Sequence, residues 1–190
     1  MSDLSAKPAK PRHAASLVLL RGTGPSAEVL MGRRPRKSRF APDVFVFPGG
    51  GVEPGDLEHP RVLSPVCARL THASLRLAGA LAAAAVRETR EETGLQLSDH
   101  APLRLTARAI TPTNSPIRFH ARFFQADAAD ASGTLADSDE LTELAYRPMR
   151  EALNLPLMDI TEAVVRAAAA EDPPFLFTYR YGKARLKQLI

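Results

Sequence analysis

The chain has 190 residues, 45% of them hydrophobic, with a formal net charge of +4, one cysteine and no tryptophan. That length and apolar content suffice for one substantial core, the single Cys67 excludes an intramolecular disulfide, and no apolar stretch approaches the roughly 18 residues that cross a membrane as a helix. Residues 1–13 are polar, basic and proline-containing without an apolar centre, so they read as a disordered basic tail and not as a secretory signal, with a cytoplasmic protein as the expectation.

Residues 14–20, apolar and bounded by Gly22 and Pro25, read as a first strand, with residues 28–31 as its hairpin-like partner. A basic run follows, containing Arg33, Arg34, Arg36, Lys37 and Arg39. Guanidinium groups hold phosphate in a bidentate fork, which makes Arg34, Arg36 and Arg39 candidate substrate-binding residues, with plain solvated charge as the alternative. The positive charge is not laid out as a long basic face interleaved with aromatics, which favours a phosphorylated small molecule over nucleic acid. Residues 43–47 read as a short buried strand that feeds Gly49, Gly50 and Gly51. Three glycines let a backbone turn sharply and approach a ligand closely, so this segment reads as a glycine-rich loop that would hold phosphate.

Pro54, Gly55 and Pro60 predict loop after the glycines. From about Ser64 or Arg69 the composition becomes helical, and the alanine-rich run leads to one helix from near residue 71 to 93, with Gly79 as a weak point and Gly94 as the left-handed C′ residue. Residues 82–85 read as close packing beneath a sheet, and Cys67 as a buried or inert thiol. Strands are expected at 103–110 and 118–126, the second placing Phe119, Ala121 and Phe123 on one side and Arg118, His120 and Arg122 on the other, with His120 read as a polar surface residue. A strand at 141–146, a short helix at 150–153, an amphipathic helix at 161–170 and a last strand or ordered tail at 175–181 complete the chain. Strands and helices interleave, which predicts an α/β fold with a mixed sheet between helices.

The chemistry concentrates in residues 87–94, Arg87-Glu88-Thr89-Arg90-Glu91-Glu92-Thr93-Gly94. On a helix Glu88, Glu91 and Glu92 share a face, and like charges at that spacing repel by a few tenths of a kcal/mol per pair. A divalent cation turns that repulsion into attraction, and hard cations such as Mg²⁺ bind through a few carboxylates plus substrate phosphates. Read alone, the run also fits an acidic solvated helix end.

With the glycine segment upstream, the run resembles the box of the Nudix hydrolases: Gly, five residues, Glu, seven residues, then Arg-Glu-x-x-Glu-Glu-x-Gly. The second half is complete from Arg87 to Gly94. The first half matches from Gly50, except that Asp56 stands where the family has Glu, and residues 57–86 are 23 longer than the family spacing. An interrupted box is similar to that of the peroxisomal coenzyme A diphosphatases and their bacterial relatives. The resemblance runs from about residue 14 to residue 183. It implies a Nudix-type α/β/α sandwich as a single domain over 14–190, with an insertion within 57–86, for which covering the site and making a subunit contact are both open readings.

For the site, the resemblance implies Mg²⁺ or Mn²⁺ held by Glu88, Glu91 and Glu92, with Asp56 of uncertain reach, and Arg87 orienting the cluster through a salt bridge. Glu140, chosen from Asp137, Asp139, Glu140 and Glu143, is the candidate general base or extra ligand. The implied reaction is hydrolysis of a nucleoside diphosphate linked to another group. Coenzyme A or an acyl derivative leads, with nucleotide sugars, ADP-ribose and damaged nucleoside triphosphates as alternatives within the same chemistry. A Nudix-fold module that senses nucleotides without cleaving them is the competing class. A monomer or homodimer, with no membrane contact, is expected.

Overall fold

A computed structural model describes residues 9–38 and 40–189. The first strand, β1 (Arg12–Arg21), starts two residues before the expected boundary, and β2 (Glu28–Arg33) returns beside its end with Leu20 opposite Val29. A short β3 (Phe45–Val46) leads into β4 (Gly49–Gly51). The glycines expected as a loop are therefore a strand, pairing with Ala14, Ala15 and Ser16 of β1. Side chains are excluded there: a Cβ on Gly49 would overlap Ser16, and one on Gly50 would overlap the Glu88 carboxylate.

The segment expected as loop after the glycines holds the short helix α1 (Pro54–Glu58), and α2 (Pro65–Leu70) follows, capped by Ser64, where helical composition is expected to begin. The acidic helix, α3 (Leu75–Thr93), begins later than expected because the Ser74 hydroxyl caps it at Leu77 N–H. It ends as expected on Gly94, at φ 75°. Gly79, read as a weak point, has a packing reason. A Cβ there would come within 2.8 Å of both Pro60 Cβ and the Arg61 carbonyl, and Arg61 N–H donates to the Gly79 carbonyl at 3.1 Å.

Beyond α3 lie β5 (Leu95–Leu97), β6 (Arg104–Ile110), β7 (Phe119–Asp127) and β8 (Ala131–Gly133), followed by β9 (Thr142–Pro148). The remainder is α4 (Met149–Ala152), α5 (Asp159–Ala170) and the hairpin β10 (Phe175–Arg180) to β11 (Lys183–Gln188). The main sheet runs β11-β10-β6-β7-β1-β2-β3, with β4 joined to β1 and β9 to β2; β5 and β8 pair separately. The β1–β7 and β6–β10 pairs are parallel and the others antiparallel, so the sheet is mixed, as expected. The residue pattern does not predict β5, β8 or β11, the first two being three-residue strands with no alternation to read.

Each face of the sheet has its own apolar layer. Val164 and Val165 of α5 pack with Val18, Val29, Phe123 and Phe177 on one side. Leu81, Ala82 and Ala85 of α3 pack with Leu17, Leu19 and Phe124 on the other, where Cys67 of α2 is also buried. The alanines let the helix lie close to the sheet. This is the α/β/α sandwich.

Both faces of β7 are covered, which corrects the reading of His120. It is half-buried, and burial first, then Arg122 and Arg108, push its pKa down to about 3. The inserted residues join the α3 side of the sheet through Cys67 and Leu70. None of residues 57–86 lines the cleft beside the acidic helix.

Candidate active site

Asp56 and Arg87, separated by 31 positions, meet in the fold. Arg87 Nε and Nη2 donate to the two Asp56 carboxylate oxygens, each at 3.2 Å. The same guanidinium donates to the Gly51 carbonyl at 3.0 Å and reaches Glu88 and Glu91, also at 3.0 Å. One planar fork thus ties the box's first half, the glycine strand and two carboxylates of the helix. Burial opposes the Arg87 charge, but Asp56 and Glu88 outweigh it and hold its pKa above the ordinary value.

Asp56 has both oxygens engaged, and one also accepts from Glu53 N–H at 2.8 Å, closing the first turn of α1. It is buried and lies behind Arg87, outside the lining of the cleft. Its observed work is to hold Arg87. A shorter acid than glutamate suits that role because α1 brings its backbone close.

The three glutamates differ in setting. Glu91 is half-exposed, Glu88 is mostly covered, and Glu92 is buried, accepting from Gly49 N–H at 2.8 Å. Burial pushes the Glu92 pKa up to about 8; the Gly49 bond opposes the shift, while the Glu88 and Glu140 charges add to it. Glu88 is raised as well, by burial first and against the pull of Arg87. Glu140, on the turn before β9, joins this electrostatic group and lines the same cleft. Its neighbours do other work: Asp137 accepts from the backbone N–H groups of Glu143 and Leu144, and Glu143 pairs with Arg33 at 2.9 Å.

Among the described residues no three His, Cys, Asp or Glu side chains are grouped so as to hold a metal ion by themselves. The donor set is all carboxylate oxygen, with two pKa values raised by burial first and by neighbouring acids second, and Arg87 and Gly49 each bond to members of the set. Such a set fits a hard divalent cation whose shell is completed by water and phosphate.

Of the basic run, Arg34 lines the cleft, with Nε donating to the Phe40 carbonyl at 3.1 Å, and its charge lowers Glu92. Arg36 is exposed and pairs with Asp43 at 3.5 Å, away from the cleft, so it does not join the candidate site. Arg39 falls outside the described residues. The cleft encloses about 410 Å³ and continues from the acids into an apolar half formed by Phe40, Phe47, Phe119, Phe123 and Ile160. Phe40 and Phe119 meet edge to face at 5.3 Å. Sequence reasoning missed these residues and the cleft-lining Glu53. Only Glu53 carried a signal, its place inside the first half of the box.

No protein-family model and no curated protein matches the chain. Solved structures do. A Nudix hydrolase from Alicyclobacillus acidocaldarius is 28% identical, with TM-score 0.68, over 85% of this chain and 92% of its own. A mutator MutT protein from Bacillus halodurans is 17% identical, with TM-score 0.59, over 93% of this chain and 97% of its own. A MutT Nudix hydrolase from Burkholderia pseudomallei is 20% identical, with TM-score 0.57, over 83% and 98%. The latter two bear on the fold alone. Fold and site together support a hydrolase of the Nudix type, acting on pyrophosphate bonds. In fold and in the residues of its box the chain is similar to the Nudix hydrolases, with a box split in sequence and rejoined by Asp56 and Arg87.

Proposed function

We propose that the protein hydrolyses the diphosphate linkage of a nucleoside diphosphate joined to another group, with Mg²⁺ or Mn²⁺ held by Glu88, Glu91 and Glu92. The supporting observation is the meeting of Gly49–Gly51 with these glutamates at a cleft that is acidic at one end and apolar at the other. A bound divalent cation neutralises phosphate charge and lowers the pKa of a coordinated water. The chain does the rest. Arg87 fixes Glu88 and Glu91 in place, Gly49 N–H orients Glu92, and Arg34 binds a phosphate oxygen at the mouth. Glu140 is assigned as the proton acceptor for the attacking water, because it is the acid of its turn that lines the cleft without a structural bond to another side chain.

Coenzyme A or an acyl derivative is the leading substrate. A compound of that shape puts a charged diphosphate beside an extended, weakly polar arm, and the cleft has both surfaces. The test is a panel of diphosphate compounds (coenzyme A, nucleotide sugars, ADP-ribose, nucleoside triphosphates) incubated with Mg²⁺ or Mn²⁺, with product identification. Release of a nucleoside monophosphate and a phosphorylated partner is expected. Nucleotide binding without any product would establish the sensor class instead.

A further inference from the structure

The sheet face on the α2–α3 side carries an unusual row of cations. Alternation along β10 and β11 buries Phe175 and Phe177 against α5 and turns Arg180, Lys183, Arg185 and Lys187 to the other side. In register with them, Arg108 on β6 stands directly opposite Arg122 on β7. None of these six side chains forms an ion pair among the described residues. Arg108 is 7% exposed and its Nε has no partner; Arg122 is 1% exposed and bonds to the carbonyls of Thr71 and His120 and to the His13 ring.

Charges on an outer strand often serve only to block edge-to-edge pairing, and β11 is an outer strand. That explanation stops at β11. It leaves two buried arginines facing each other inside the sheet, an arrangement that costs stability when the charges are alike and uncompensated. They do raise the positive potential beneath the exposed cations of the hairpin. At the hairpin tip, Tyr181 is 89% exposed, with the Arg180 guanidinium 5.3 Å from its ring centre. An exposed ring beside a line of cations is the combination that binds single strands, bases stacking on the ring while phosphates track the charge. A duplex would leave the ring unused.

We propose that this face, headed by Tyr181 and running along Arg180, Lys183, Arg185 and Lys187, is a docking surface for single-stranded nucleic acid. It lies across the sheet from the apolar half of the cleft and goes beyond the hydrolysis of a small diphosphate. It also departs from the sequence reading that favours a small molecule over nucleic acid, since the cations come from strands that are distant in sequence, and one of these, β11, has no signature in the residue pattern.

The test is fluorescence anisotropy of a labelled oligouridylate of about 12 nucleotides, within the site size of one such surface, carrying a 5′-hydroxyl and free of divalent metal. Binding at low salt is expected, and raising salt from about 50 to 200 mM should weaken it roughly 50-fold if four phosphates are neutralised. Tyr181→Ala should weaken it about tenfold through lost stacking. The double change Arg185→Glu and Lys187→Glu should abolish it, with thermal unfolding unchanged as the check on folding. The proposal is overturned if the oligonucleotide does not bind at low salt, if a duplex of equal length binds as tightly, if only vesicles with anionic lipid bind, or if the double variant binds like the parent.

Discussion

Arg87 is the residue on which the site turns. Its five donors are fixed in a plane, and they are spent on Asp56, Gly51, Glu88 and Glu91. Lysine carries the same charge on a single point and cannot span those acceptors. The glutamates it positions are the assigned metal ligands, so Glu91→Gln, which changes charge and hardly size, should lower metal-dependent kcat by about a hundredfold or more, in the range of a lost transition-state contact. Circular dichroism should be unchanged, because Glu91 is half-exposed. Normal turnover in Glu91→Gln would place the metal elsewhere. The basic run makes a second contrast. Arg34 lines the cleft while Arg36 faces solvent against Asp43. Arg34→Ala should raise KM for a phosphate-rich substrate roughly tenfold and Arg36→Ala should leave it within about twofold, the pattern of a lost binding contact as against an exposed charge. Equal effects of the two changes would remove Arg34 from the phosphate site.

At the scale of elements, glycine decides how α3 is seated. Gly50 gives way to the Glu88 carboxylate on one side, and Gly79 gives way to Pro60 and Arg61 on the other. In an exposed helix, Gly→Ala gains about 1 kcal/mol of propensity. At Gly79 the new Cβ would meet a backbone carbonyl at 2.8 Å, so Gly79→Ala should instead destabilise by about 1–3 kcal/mol, the usual cost of overpacking. A raised melting temperature would show that the inserted segment yields freely. Much of this arrangement was legible in the residues. The acidic spacing and the alanine face of α3 follow from a local period of 3.6 residues, Gly94 as terminator from its tolerance of the left-handed region, β1 from an apolar run between turn residues, and the alternation in β7 from a period of two. What could not be read depends on contacts between distant segments. Nothing local says that three glycines form a strand, since their pairing is supplied by Ala14 to Ser16. Nothing local makes Gly79 a packing residue, or selects Arg34 over Arg36. The apolar half of the cleft is drawn from β3, β7, α5 and the loop before β3, and no stretch of sequence contains it.

For the whole molecule, a buried acid of α3 and a buried histidine of β7 pose opposite electrostatic problems, and pH separates them. Glu92 titrates near 8 in the fold against an ordinary value of 4.5, because burial, with Glu88 and Glu140 nearby, disfavours its charge more than Gly49 and Arg34 favour it. A carboxylate raised in this way contributes stability below pH 4.5, and loses it as pH rises through 8. His120 shifts the other way, to about 3 from 6.5, through burial and then Arg122 and Arg108. It contributes stability above pH 6.5, which drains away as pH falls toward 3. Metal-free protein should therefore be most stable at about pH 6 and decline on both sides. The alkaline decline from Glu92 should be on the order of 2–3 kcal/mol, since each tenfold change in proton affinity is worth about 1.4 kcal/mol and relaxation of the site absorbs part of the total. Urea unfolding across about pH 3–9 measures both limbs. Glu92→Gln should flatten the alkaline limb alone, and His120→Gln the acid limb alone. Millimolar Mn²⁺ should restore stability at pH 8 in the parent and not in Glu92→Gln, because the cation binds the ionised acids that the empty fold disfavours. An alkaline limb that ignores both the substitution and the cation would mean that Glu92 is a structural acid, held by Gly49 for the sheet and not for a metal.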